Sequence, residues 1–114
     1  MREAPAHEIL SGKNLLEYDL RELKVVYGDD YKDGFIELSI SSHAECLTLQ
    51  FTGITRLFMP SDGLLTSVAI GIFDTRNVPS APAPIRFQHP KHKESALSFW
   101  AETVAQVALV LAIK

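Results

Sequence analysis

A single cysteine, Cys46, stands among the 114 residues, so no internal disulfide can form and the small disulfide-stapled scaffolds are excluded. Basic clusters are also missing. Eleven Lys and Arg stand against fourteen Asp and Glu, for a formal net charge of −3. Without grouped cations to neutralise phosphates, a nucleic-acid partner is not expected. No apolar run approaches the roughly 20 residues of a membrane-spanning helix, so no membrane association is expected either. The first ten residues, MREAPAHEIL, carry acids and a proline where a secretory signal needs a basic start and an apolar run. A cytoplasmic protein is therefore expected. Gly-x-Ser-x-Gly, a phosphate-cradling glycine loop and His-Glu-x-x-His are all absent from the sequence. Their absence removes the usual hydrolase, nucleotide-binding and metalloprotease signatures, and neither an enzyme nor a cofactor is expected.

What is present is an ordinary globular composition, with 46% hydrophobic and 22% charged residues. A chain of this length buries about two-thirds of its unfolded surface and makes one core, so residues 1–114 are expected to form a single domain. The charge is uneven. Residues 1–57 hold ten acids and six bases, a net of −4, and residues 58–114 hold four acids and five bases, a net of +1.

The strand signal is clearest over residues 47–60. Leu47, Leu49 and Phe51 alternate with Thr48, Gln50 and Thr52, the period of a strand with one buried face. Gly53 interrupts that alternation, because Ile54, Leu57 and Met59 cannot all continue the same face, and a bulge or sharp bend is predicted there. Pro60 and the Ser61-Asp62-Gly63 cluster end the strand. Ile36, Leu38 and Ile40 make a second alternating strand, reached through a glycine-bracketed turn at residues 28–34 that reads as a hairpin connection. Before it, Leu16, Leu20 and Leu23 fit a helical face while Leu16, Tyr18 and Leu20 fit a strand; a strand or irregular segment leading into Leu23, Val25 and Tyr27 is favoured. Residues 66–73 are non-polar at both parities, as in a strand covered on both sides. Three prolines at residues 79, 82 and 84 predict an extended loop, and Ile85, Phe87 and His89 a short strand that Pro90 stops. Residues 95–114 fit both templates. Leu97, Trp100, Val104, Val107 and Leu111 make a helical stripe, whereas Val107, Leu109, Leu111 and Ile113 alternate, and the valine-rich spacing favours strand over the helix propensity of the alanines. The fold class that follows is mainly β: a single-domain antiparallel β-sheet or sandwich of about seven strands, with at most one short helix.

Few groupings carry chemistry. His89 and His92, with His43 or Asp74, could complete a metal site, but Pro90 keeps the pair off one helix and a solvated basic turn is the simpler reading. Asp29, Asp30 and Asp33 offer oxygen ligands without the spacing of a calcium loop. His43 and Cys46 lie three apart, which in a strand puts them on opposite faces unless the chain turns between them, and Cys46 reads as a small buried apolar residue. Pro79 and Pro82 supply a minimal polyproline-ligand core that is common by chance. Phe99 and Trp100 are adjacent, so in a strand one faces the core and the other faces out, where a large aromatic is a candidate contact anchor, although coverage by a neighbouring loop is the simpler reading. Trp100, Val110, Arg76 and Arg86 are the candidate protein-contact residues.

The order LTLQFTGITRL, SVAIGIFD, IRFQHP and ESALSFWAETVAQV resembles small bacterial immunity proteins of polymorphic toxin systems and related uncharacterised families. The Phe51-x-Gly53-Ile54-x-x-Leu57 pattern and the Leu97-Ser98-Phe99-Trp100 run carry the resemblance over about half the chain. These are sheet-packing residues, so no site is carried over, and the proline-rich insert departs from the pattern. The resemblance implies a non-catalytic domain that binds and neutralises a toxin partner. Two other expectations are kept beside it: a small metal-binding protein or enzyme using His89, His92 and Asp74, and a structural homodimer built through the C-terminal segment.

Overall fold

Residues 2–4, 17–30, 33–59, 70–89 and 97–111 are described by the computed structural model of this chain. They form nine β-strands: β1 (Arg2–Ala4), β2 (Asp19–Val26), β3 (Phe35–Ser41), β4 (Glu45–Thr52), β5 (Thr55–Phe58), β6 (Gly71–Asp74), β7 (Ile85–His89), β8 (Leu97–Ala101) and β9 (Thr103–Leu111). Pairing is antiparallel throughout, in a five-stranded sheet of order β1-β9-β4-β3-β2 and a four-stranded sheet of order β5-β8-β7-β6. The mainly-β fold class is thus what the alternating patterns predict, and no helix stands among the described elements.

Alternation decides which faces meet. Ile36, Leu38 and Ile40 on β3 and Leu47, Leu49 and Phe51 on β4 are fully buried, as are Phe87 on β7 and Leu97 and Phe99 on β8. Their neighbours at the other parity are only half-buried. Three phenylalanines knit the two sheets together. Phe51 meets Phe99 edge-on at 5.1 Å between ring centres, Phe87 stacks on Phe99 at 5.0 Å, and Phe51 and Phe87 are tilted at 6.1 Å. Each buried ring contributes about 1.5–3 kcal/mol by leaving water, and each favourable ring pair adds about 0.5–1.5 kcal/mol.

The sheets are joined by two strands that bend together and change sheet, as at the corners of an orthogonal sandwich. β4 passes into β5 at Gly53, and β8 passes into β9 at Glu102. The amide of Glu102 donates to the Thr52 carbonyl at 2.9 Å, and the hydroxyls of Thr52 and Thr103 are hydrogen-bonded beside it. Gly53 has φ 67°, and a Cβ there would lie 2.7 Å from both Cβ and Cγ of Glu102. The interruption predicted at Gly53 is this corner.

Three features differ from the sequence reading. Residues 97–111 are two strands rather than one, broken at Glu102 and bulged where β9 slips against Thr48 and Leu49 of β4. The bend and the bulge each shift the alternation, which is why these residues also fit a helical stripe. β2 bulges between Leu20 and Glu22, so Leu20 and Leu23 share a face although three apart, again imitating a helix. Finally, residues 75–84 are not extended. Val78 donates to the Thr75 carbonyl and Ala81 to the Val78 carbonyl, each at 3.1 Å, and the loop is closed by Thr75, whose amide reaches the Pro84 carbonyl at 2.7 Å and whose hydroxyl reaches the Ala83 carbonyl at 2.6 Å. A polyproline helix has no such internal bonds, so Pro79 and Pro82 are not presented as a polyproline ligand. Of the predicted strand at residues 66–73, residues 66–69 lie outside the described ones.

Candidate protein-contact surfaces

The four candidate contact residues fall at three places. Arg86 on β7 and Trp100 on β8 are direct cross-strand partners on the outer face of the four-stranded sheet, and Phe73 on β6 pairs with Arg86 from the other side. The Arg86 guanidinium carbon lies 5.1 Å from the Trp100 ring centre, so cation and ring support each other and both are half-buried. The Arg86 Nε is buried with no hydrogen-bond partner among the described residues. Arg76 sits in the turn after β6, where its Nε and Nη2 grip the Asp74 carboxylate at 2.6 to 3.0 Å. That clamp closes a tight turn. Val110 lies on β9, opposite Cys46 of β4, and is 64% exposed.

β9 changes character along its length. Val104 and Ala105 are buried, whereas Val107, Leu109, Val110 and Leu111 are all exposed large apolar side chains. β4 pairs with the whole strand, but on its other edge β1 pairs only with Val104, Ala105 and Gln106. Among the described residues, nothing pairs with that edge of residues 107–111. β9 also contains no charged residue.

The groupings considered for metal or nucleophile chemistry are dispersed. His89 is a buried residue on the inward row of β7, 4% exposed, rather than part of a solvated turn. Asp74 pairs with Ile85 at the opposite end of β7. Four residues of strand, about 13 Å at about 3.3 Å per residue, separate the two, so they cannot ligate one ion. His92 lies outside the described residues. Among the described residues there is no group of three or more His, Cys, Asp or Glu placed to hold a metal. His43 is exposed in the turn between β3 and β4, which is fastened by the Ser42 amide on the Glu45 carbonyl at 2.9 Å. Cys46 is not in the core; it is half-buried on the outer face between Ser41 and Val110.

One polar pair is set into the edge of the core. The Tyr18 hydroxyl donates to Glu45 Oε2 at 2.8 Å. Burial of the phenol pushes its pKa above the ordinary value, and the bond to Glu45 adds to the rise while Ser42 opposes it. Tyr18 is therefore a structural donor across the β2 and β4 ends.

A surface that the sequence did not signal lies between the two edge strands β2 and β5. It is a cleft lined by Val25, Tyr27, Ile54 and Leu57 among others. Arg56, with a left-handed φ of 54°, lies in the bulge of β5 that places Phe58, not Leu57, opposite Ser98. Only the broken alternation after Gly53 hinted at it. Comparison with family models, with curated proteins and with solved structures finds no match for this chain.

Proposed function

We propose that the protein is a non-catalytic protein-binding domain, immunity-like in that it acts by covering and neutralising a toxin partner. The outer half of β9 is its contact element. The observation that carries this reading is the exposed, uncharged apolar edge at residues 107–111, where Val110 and Leu111 are 64% and 63% exposed. Proteins ordinarily blunt an open strand edge with lysine, proline or a covering element, because unpaired backbone groups there recruit another strand. An edge apolar on both faces adds side-chain pockets to the main-chain bonds, as in strand-addition complexes.

The test is affinity capture with the wild-type chain and with Val110→Lys as baits. A partner, encoded beside this gene if the immunity reading holds, is retained by the wild type and lost by the variant, whose unfolding free energy stays within about 0.5 kcal/mol of wild type because the site is exposed. Equal recovery by both baits overturns the role of β9.

The same strand favours a second reading, a homodimer, since two copies of an uncharged apolar edge are complementary when laid antiparallel about a two-fold axis. Light scattering at micromolar concentration decides it: a dimer that Val110→Lys converts to monomer supports this reading, and a wild-type monomer removes it.

A further inference from the structure

The cleft between β2 and β5 is independent of β9 and has a chemistry of its own. β2 is an edge of the five-stranded sheet and β5 an edge of the four-stranded sheet, and the cleft opens where β2 runs into the hairpin leading to β3. Val25, Tyr27, Phe35, Ile54 and Leu57 line it, and Asp30 is the acid in its wall. Its volume of about 230 Å³ lies below the roughly 300–1,000 Å³ of sites that enclose whole cofactors or small-molecule ligands. It suits one or two inserted side chains. Tyr27, 91% exposed, stands at this cleft with nearly all of its ring in water, and Val25 and Leu57 are exposed as well. An apolar cavity rimmed by exposed aromatic and aliphatic side chains is the usual form of a contact hot spot.

Among the described residues that line it, Asp30 is the only charged one. Asp29 and Asp33 are exposed on the same hairpin as Asp30, and residues 27–34 carry three acids and one base in sequence. The hairpin is held closed so that Asp30 stays at the cleft. The Asp33 amide donates to the Asp30 carbonyl at 2.9 Å, and a Cβ on Gly28 would lie 2.4 Å from the Cβ of Asp33. On β5, between the lining residues Ile54 and Leu57, Arg56 holds a left-handed backbone that is unusual for a non-glycine residue, and such strain collects where a surface is shaped for use.

We propose that this cleft receives a basic apolar segment of a protein partner, in which an aromatic or aliphatic side chain fills the cavity and an adjoining Lys or Arg is held by Asp30. Apolar walls supply the burial, and the acidic rim selects the cation and rejects segments flanked by acids.

The test uses the full chain and three blocked tripeptides, Lys-Phe-Lys, Glu-Phe-Glu and Lys-Ala-Lys, titrated while backbone amide shifts are followed by NMR. Lys-Phe-Lys is expected to give saturable shifts confined to the neighbourhood of Val25, Tyr27, Asp30, Ile54 and Leu57, with the other two at least tenfold weaker. Asp30→Asn, an exposed change that leaves the spectrum otherwise intact, should weaken Lys-Phe-Lys about three- to tenfold and erase the preference over Glu-Phe-Glu. Leu57→Lys should abolish binding. No saturable shift up to millimolar peptide, shifts centred elsewhere, or equal binding of Glu-Phe-Glu overturns the proposal, as does an Asp30→Asn variant that binds like wild type. The result is separable from that for β9, since Val110→Lys should leave peptide binding unchanged.

Discussion

Gly53 and Arg56 both hold left-handed backbone, at φ 67° and 54°, on either side of the point where one strand changes sheet. They predict opposite outcomes. At Gly53 any side chain meets the unfavourable conformation and also the Glu102 side chain 2.7 Å away. Gly53→Ala or Gly53→Val should therefore lower the unfolding free energy by about 1–3 kcal/mol, read by urea denaturation. Arg56 already carries that strain, so Arg56→Gly removes it at the cost of some backbone entropy and should leave stability equal or raise it by up to about 1 kcal/mol. Loss of stability in Arg56→Gly would mean that the side chain contributes more than the strain costs. Tyr18 makes a third prediction at this scale. Its phenol has a pKa above the ordinary value of about 10 because it is buried and bonded to Glu45. The native state then holds the proton more tightly than the unfolded chain, so the contribution is complete below about pH 10 and is lost as pH rises through the folded value. The wild type should lose stability relative to Tyr18→Phe above pH 10 and show no such divergence between pH 7 and 9, in thermal melts across that range.

Among the elements, those with uninterrupted alternation were legible without a rival template, whereas the bulged β2 and β9 were favoured as strands but fitted a helix as well. β3 and β4 match their predicted faces residue by residue, because no insertion disturbs the period from Ile36 to Ile40 or from Leu47 to Phe51. The strand Ile85, Phe87, His89 is likewise as read, though the same register shows His89 as a core residue that its neighbours Lys91 and His92 disguised as part of a polar turn. β2, β5 and β9 each carry an irregular register, and periodicity cannot distinguish a bulged strand from a short helix when the bulge restores a three-residue spacing. The cleft was invisible for the same reason, since it lies beside the Arg56 bulge and between two strands that lie far apart in sequence. The aromatic cluster belongs to this scale too. Phe99 touches both Phe51 and Phe87, so Phe99→Ala should cost about 3–5 kcal/mol, a large part of the roughly 5–15 kcal/mol that a domain possesses. Phe99→Leu, which refills most of the cavity, should cost less than half as much in the same denaturation experiment.

For the whole molecule, the two bent strands fix what the surface can offer. Their shared corner at Gly53 and Glu102 lets one continuous ribbon serve both sheets, so the core is made chiefly by β3, β4, β7 and β8, with Leu20 of β2 and Val104 of β9, while β9 runs on past the strand that covers its other edge. The apolar end of β9 is thus a consequence of the topology and not a stray patch, and it lies on a different sheet edge from the β2 and β5 cleft. A preformed contact is expected, with the affinity resting on residues 107–111. Amide hydrogen exchange along β9 tests that most directly, with the chain free and in complex with the partner recovered by capture, or across a concentration series if the partner is a second copy. The amides of residues 107–111 that face away from β4 should exchange rapidly in the free chain and slow by at least about tenfold in the complex, while those bonded to β4 change little. Unchanged exchange at residues 107–111, with protection appearing on the outer face of the four-stranded sheet instead, would contradict it.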